Sequence, residues 1–539
     1  ATEDTIPTWT QNGIRAYIAQ ECPDYVLLVG DVDSLPAFTG TATGEVCDLY
    51  YGELDYSGYI PEVYIGRFPA ASAEECSIMV SKTLRYERLD YPDLSWLGRT
   101  QFIASSDPDW GEFTEATHDS VIAWYLGHLN NHKTYPLSYG ATNDTVTYYL
   151  EQGIALNVYS GLGDELGYYD YTITYVLSDI WALTNAPMIP FCATHSSYTA
   201  QFDYRLGVIY TECGGEAWMR NPNGGAVAYW GASASSMWTE DDWLEKAWVK
   251  ALFQDGIYDI GGFTQQGLYE GIELSTSPYK QYYYETYNLL GDPSLCLCTD
   301  IPTEMNVTHP ETLIAEVPVV CTTRVEDATT KAPIEGALVS IVQDTSYLSP
   351  AVKQTQYTDE NGLAIFSFTP APSESIVLTV TAPNKIPYQE GISVTTLTNV
   401  FGYELCGRVE GNTVTIVWKA TTIIGTHWEI YRDNCIIKTL PCNEEGIYKI
   451  KDIPKGGVHT YTVVLKDNNS TVWQKKIKLK VENMEIRASM ISKGTIDVVL
   501  LSGEDKSITF SLYDISGRIV RNWRTSIHRG KNIFRLPTK

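Results

Sequence analysis

Basic residues are scarce in the first part of this chain, and zinc-type cysteine pairs are missing from all of it. Residues 1–300 hold 12 lysines and arginines against 41 aspartates and glutamates, a balance of −29; residues 301–539 hold 26 against 25, or +1, and the two sum to −28. Such a head repels nucleic acid and anionic membrane surfaces and would suit cations or basic partners. No apolar run is long enough to span a bilayer, and no signal-like stretch opens the chain. With no initiating methionine, the sequence reads as a mature, soluble, exported chain. The 11 cysteines form no CxxC pair, and Cys296-Leu-Cys298 is too tight for a zinc knuckle. An odd count leaves one thiol unpaired within a monomer. Cys435 and Cys442 are close enough in sequence to bridge, though spacing alone does not establish it. No EF-hand loop occurs. The acidic clusters Asp31-Val-Asp33, Asp107-Pro-Asp109 and Glu240-Asp-Asp242 are the candidates for bound calcium, against the plainer reading of a solvated acidic surface.

What is present is length and two kinds of patterning. A chain of 539 residues exceeds one core and implies several domains. Up to residue 300, strand and helix signals alternate. Helices are expected over 7–20, capped at Thr8 or Thr10, and from Ser72 to about 87, where Ser72 and Glu75 make a capping box. Further helices are expected over 114–130, 145–152, 207–220 and 240–253. Strands are expected over 25–30, 63–68, 101–104, 153–160, 186–194 and 224–230. That rhythm means a largely parallel sheet with helices on both faces. In such sheets the chemistry sits at the carboxyl ends of the strands.

Two of those strands carry a resemblance. Gly153-Ile-Ala-Leu-Asn-Val-Tyr-Ser160 ends in Gly161-Leu162-Gly163, and Ala186-Pro-Met-Ile-Pro-Phe-Cys-Ala-Thr194 runs into His195-Ser196-Ser197. Together they resemble the active-site strands of the gingipain-type cysteine peptidases, where the first ends Gly-His-Gly and the second in Ala-Cys. Asp24–Asp31, Glu62–Phe68, Tyr86–Arg88, Trp96–Gly98, Glu216–Arg220 and Leu290–Ser294 match in the same order. The resemblance implies a caspase-like fold over residues 1–300 and allows bound calcium. It also implies a strand and helix upstream of Ala1, supplied by a cleaved upstream fragment or covered by something else.

The expected catalytic residues are substituted. The family's histidine position holds Leu162, its cysteine position is expected at Thr194, and Asp107 stands near its acidic partner. A thiolate peptidase needs an imidazole that lowers the thiol pKa and then protonates the leaving amine. Leucine can do neither, and threonine is a poor nucleophile without a base. The alternative is Cys192 as nucleophile with His195 as base. Cys192 lies two residues before Thr194, so roughly 7 Å deeper on the same face, while His195 would point to the opposite face if the strand continues.

From residue 301 helix signals vanish and alternation takes over. Residues 301–398 resemble an immunoglobulin-like sandwich, with Glu360-Asn-Gly362 turning between two strands. Residues 399–483 resemble a fibronectin type III module. Residues 484–539, with Asp514-Ile-Ser-Gly517, resemble an incomplete sorting domain of type IX secretion. Three functions compete: a non-catalytic extracellular structural or adhesive protein, self-assembling by strand donation; an active secreted cysteine endopeptidase using Cys192; and a module holding peptides in an inert cleft, with Trp238 near a family substrate contact.

Overall fold

The computed structural model describes residues 9–537 except 56–57, 206–210, 317, 344–349, 373–374, 396–404, 411–412, 421–425, 443–445, 468–469, 482–483, 493–494, 503–505, 514–518 and 528–529. The head is organised on an eight-stranded sheet. Its strands in chain order are β1 (Tyr25–Val29), β2 (Tyr64–Phe68), β3 (Arg99–Ala104), β4 (Asn130–Thr134), β5 (Leu156–Ser160), β6 (Phe191–His195), β7 (Ala228–Ala232) and β8 (Tyr287–Leu290). In space they run β1-β2-β8-β7-β6-β5-β3-β4. Every pairing is parallel except β7 with β8. The three central strands β5, β6 and β7 are buried at every position, as parallel strands covered on both faces must be.

The pleat sorts side chains into two cores. Phe102, Val158, Phe191, Ala193 and Trp230 face one side with Trp248 and Phe263. Their strand neighbours Ile103, Tyr159, Cys192 and Tyr229 face the other with Trp218 and Leu290. Alternation of this kind fixes which residues can meet.

The helices follow their caps more than their periodicity. α1 (Gln11–Glu21) begins where the Thr10 hydroxyl accepts the Gly13 N–H at 3.2 Å, four residues later than expected. In α2 (Ala73–Arg88) the Ser72 hydroxyl accepts the Glu75 N–H at 3.2 Å, but the Glu75 carboxylate turns back to the Ala71 N–H at 2.8 Å. The expected capping box is therefore half formed. α3 (Gly111–Tyr125) stops before residue 130, and Asn130 instead opens edge strand β4, which periodicity did not indicate. α4 (Asn143–Glu151), α5 (Gly214–Arg220) and α6 (Trp238–Phe253) lie within or beside the expected spans.

Beyond residue 300 the described elements are strands. A three-stranded sheet (Met305–Thr308, Val319–Asp327, Leu363–Phe368) and a five-stranded sheet share one core around Cys321, Val339, Phe366 and Leu378. The turn at Glu360–Gly362 joins Val352–Tyr357 to Leu363–Phe368, which lie in different sheets, so it crosses between layers rather than closing a hairpin. A second pair of sheets, of three and four strands, encloses Trp418, Trp428, Ile430 and Tyr461. Cys435 and Cys442 are both free: Cys435–Pro441 is one extended strand, so its ends stand roughly 20 Å apart, beyond disulfide reach. Residues 484–537 pair as three-stranded and two-stranded sheets. The signature at Asp514–Gly517 lies outside the described residues.

Candidate functional site

β5 and β6 pair in parallel register, Thr194 with Tyr159 and His195 with Ser160. The next step is held by the Gly161 N–H on the His195 carbonyl at 3.2 Å. Thr194 is thus inside the sheet, fully buried, with its hydroxyl near those of Tyr168 and Tyr229 but in no well-formed hydrogen bond. Strand β6 runs through His195, and the chain reaches the crevice only at Ser196 and Ser197. There it turns, with Tyr198 held at φ 63°. Carrying the register two residues past the strands sets Leu162 opposite Ser197. Leu162 is 37 % exposed. The Ser197 hydroxyl accepts the Ser236 N–H at 3.1 Å. Among the described residues the buried Ser196 hydroxyl has no hydrogen-bond partner, and it lies so close to Gly163 that a Cβ there would sit 2.2 Å from it. The glycine is what lets the two strand mouths approach.

Cys192 and His195 are on opposite sides of the sheet. The Cys192 sulfur accepts the Asn157 amide N–H at 3.7 Å among the Tyr159 and Tyr229 rings. Burial pushes its thiol pKa far above the ordinary value, more than the Asn157 bond and the Lys82 charge lower it. His195 lies with Trp230 and Trp248. The Trp248 indole N–H donates to its Nε2 at 3.0 Å, and its Nδ1 is 3.3 Å from the Tyr287 hydroxyl. Tyr287 in turn donates to Asp241 at 2.6 Å. The tyrosine has one proton and gives it to the carboxylate, so His195 donates from Nδ1 and accepts at Nε2. It is a neutral tautomer with its lone pair occupied, and burial lowers its pKa to about 4. No proton relay joins the two residues.

The remaining expected site residues have other partners. Asp107 accepts the Asp109 and Trp110 N–H groups at 2.9 and 3.0 Å and thereby caps the approach to α3. Asp31 is gripped by Arg205 and Arg220 at 2.8 and 2.9 Å, and Asp33 and Asp109 are exposed. In the third cluster Glu240 accepts Ser277, Asp241 accepts Tyr283 and Tyr287, and Asp242 accepts Thr117 and Lys246. Among the described residues no three His, Cys, Asp or Glu converge to hold a metal. The calcium candidates Asp31, Asp33, Asp107 and Asp109 do not fit such a site, because Asp31 answers guanidinium groups, Asp107 answers backbone donors, and exposed Asp33 and Asp109 belong to no converging group among the described residues.

Asp170 was missed by sequence. It is buried beneath Gly161, its Oδ2 accepting Ser105 at 2.6 Å and its Oδ1 accepting the Ser106 hydroxyl at 3.0 Å and the Tyr171 N–H at 2.6 Å. Among the described residues its donors are hydroxyls and amides, with no imidazole. Only its loop position seven residues after Gly163 could have hinted at it. Half-buried Trp110 and Trp238 lie parallel, ring centroids 5.7 Å apart and planes at 4°.

The model of peptidase family C25 matches residues 3–298. The chain belongs to peptidase family C25. Within that family it is 25% identical over 495 residues to gingipain R2 of Porphyromonas gingivalis, covering 86% of this chain and 63% of that protein. It is 29% identical over 341 residues to Lys-gingipain of the same organism, covering 56% of this chain and 19% of that protein. The crystal structure of the Arg-specific cysteine proteinase gingipain R superposes with a TM-score of 0.62 at 25% identity, covering 72% of this chain and 88% of that one. A complex of pro- and mature domains of a Porphyromonas gingivalis gingipain gives 0.62 over 73% and 93%. The C25 head therefore has the gingipain, caspase-like fold.

Proposed function

We propose that this C25 member is catalytically silent and serves as an extracellular structural or adhesive protein, with its peptidase fold kept as scaffold. What supports the reading is Leu162 at the mouth of β5, which the β5–β6 register, carried two residues on, sets across from Ser197. On this reading Ser197, rather than Thr194, occupies the nucleophile position, because Thr194 is buried inside β6. A serine attacks a peptide carbonyl only when a base takes its proton, and an aliphatic side chain cannot. The rival, a peptidase using Cys192 and His195, is disfavoured by their opposite faces and by the occupied imidazole lone pair. We divide the chain at residues 300, 398 and 483, the later parts acting as spacer or adhesive modules.

Self-association by strand donation belongs to the same reading. Edge strand β1 carries no charge and exposes Tyr25 and Val29, whereas the opposite edge, β4, bears Lys133 and His132. Charged side chains protect a sheet edge from pairing and apolar ones invite it. A cleaved upstream fragment is the other candidate occupant. The functional reading is tested by incubating the full chain with a peptide library and scoring cleavage by mass spectrometry. No cleavage above a heat-denatured control is expected; cleavage lost in Cys192→Ala would replace this reading with its rival.

A further inference from the structure

The two ends of the chain differ in sign, and the structure shows how little of the head's charge is answered at home. Of its 12 lysines and arginines, 8 lie in ion pairs with the head's own carboxylates. Lys82 is buried against the Trp218 and Met219 carbonyls. Among the described residues three cations remain for a surface that still shows many exposed carboxylates, Glu74, Glu112 and Asp144 among them. Residues 399–539 have the opposite balance, 22 lysines and arginines against 14 acids, or +8.

Part of that excess stands on two sheet edges. Gly446–Asp452 is the outer strand of the three-stranded sheet, and Ser470–Val481 is the outer strand of its four-stranded partner. Tyr448 and Ile450 turn inward on the first, as do Ile477 and Leu479 on the second. Lys449 and Lys451, then Lys476 and Lys478, are exposed. Among the described residues none of the four meets a carboxylate. Lysines on an edge discourage strand addition, so a contact made here is one of side-chain charge rather than of added backbone pairing.

We propose that copies of the chain associate head to tail, the lysine-bearing edges of the module at 399–483 in one copy lying on the acidic head of the next. A copy's own head is a poorer occupant: among the described residues no hydrogen bond or ion pair joins residues 1–300 to 405–481, and the sandwich from residue 301 intervenes. Such a contact is heterologous and leaves both ends open, which makes chains. It rests on the self-association part of the proposed function and not on the loss of catalysis. Strand donation buries backbone and would ignore salt, so the two failures are separable.

The test is sedimentation velocity of the full chain across protein concentration, at ionic strengths of about 0.02 M and 0.3 M. The expected result is concentration-dependent association that weakens about tenfold or more at the higher salt, with the same loss in K449E/K451E/K476E/K478E and an intermediate one in the four lysine-to-glutamine changes. Circular dichroism checks that the variants fold. A monomer under all conditions, or association unmoved by salt and by charge reversal, would overturn the proposal.

Discussion

At His195 and His118 the same side chain is tuned in opposite directions. Burial lowers the His195 pKa to about 4. An unfolded chain binds that proton near pH 6.5, so the neutral ring adds stability above about pH 6.5 that is lost as pH falls through 4. His118 is equally buried, but its two nitrogens face acceptors, Glu245 at 2.8 Å and the Ile103 carbonyl at 3.1 Å. Burial opposes the charged ring, yet Glu245 outweighs it and the folded pKa rises. That contribution is full below about pH 6.5 and lost as pH rises through the folded value. Urea unfolding of His195→Phe should therefore flatten the acid limb of the stability profile. His118→Gln should cost about 2 kcal/mol at pH 6, and the gap to wild type should narrow on the alkaline side.

The sequence could name these residues but not their partners. His195 follows Thr194 directly, and only the observed extent of β6 decides that it turns away from the crevice. The substitution at Leu162 was legible because it breaks a Gly-x-Gly motif. The residue opposite it was not, because register between parallel strands is set by packing far from the motif. Asp170 sits in a tyrosine-rich loop with no motif to mark it.

Among the elements, α5 is anchored by charge. Arg220 at its end reaches Asp31 at 2.9 Å and Glu216 at 2.7 Å, all three nearly without solvent. Removing the guanidinium leaves two buried carboxylates with the half-buried Arg205 as their remaining cation, so Arg220→Met should cost about 3 kcal/mol in urea unfolding. Gly163→Ala tests the approach of the β5 and β6 mouths. Its methyl would press on the Ser196 hydroxyl and the Gly167 carbonyl, and a loss of about 1–3 kcal/mol is expected from overpacking. The central strands were legible as apolar runs, and α2 and α6 from their end signals. β4 was not, since its Asn-Asn-His-Lys-Thr sequence carries no apolar alternation. It is a strand because β3 beside it supplies the hydrogen bonds.

For the whole molecule, the cores beyond residue 300 are separate from those of the head, with Phe366 and Leu378 in one cluster and Trp418 and Trp428 in another. Separate cores need not melt together. Calorimetry should resolve more than one transition, and added salt should raise the transition of the acidic head most, because screening relieves its self-repulsion. A single transition insensitive to salt would argue that the parts unfold as one unit. The turn of −29 into +1 at residue 300 was visible in composition alone; how few head cations are free to neutralise it was visible only in three dimensions.

The claim on which the functional reading depends is that no group at the Leu162–Ser197 mouth can be deprotonated and attack a carbonyl. Intact-mass analysis of the native full chain after exposure to a peptidyl chloromethyl ketone with a basic terminal residue tests it most directly. The account predicts an unmodified mass under native conditions at neutral pH. A stoichiometric adduct mapping to any residue at the mouth, or to Cys192 beneath it, would contradict it.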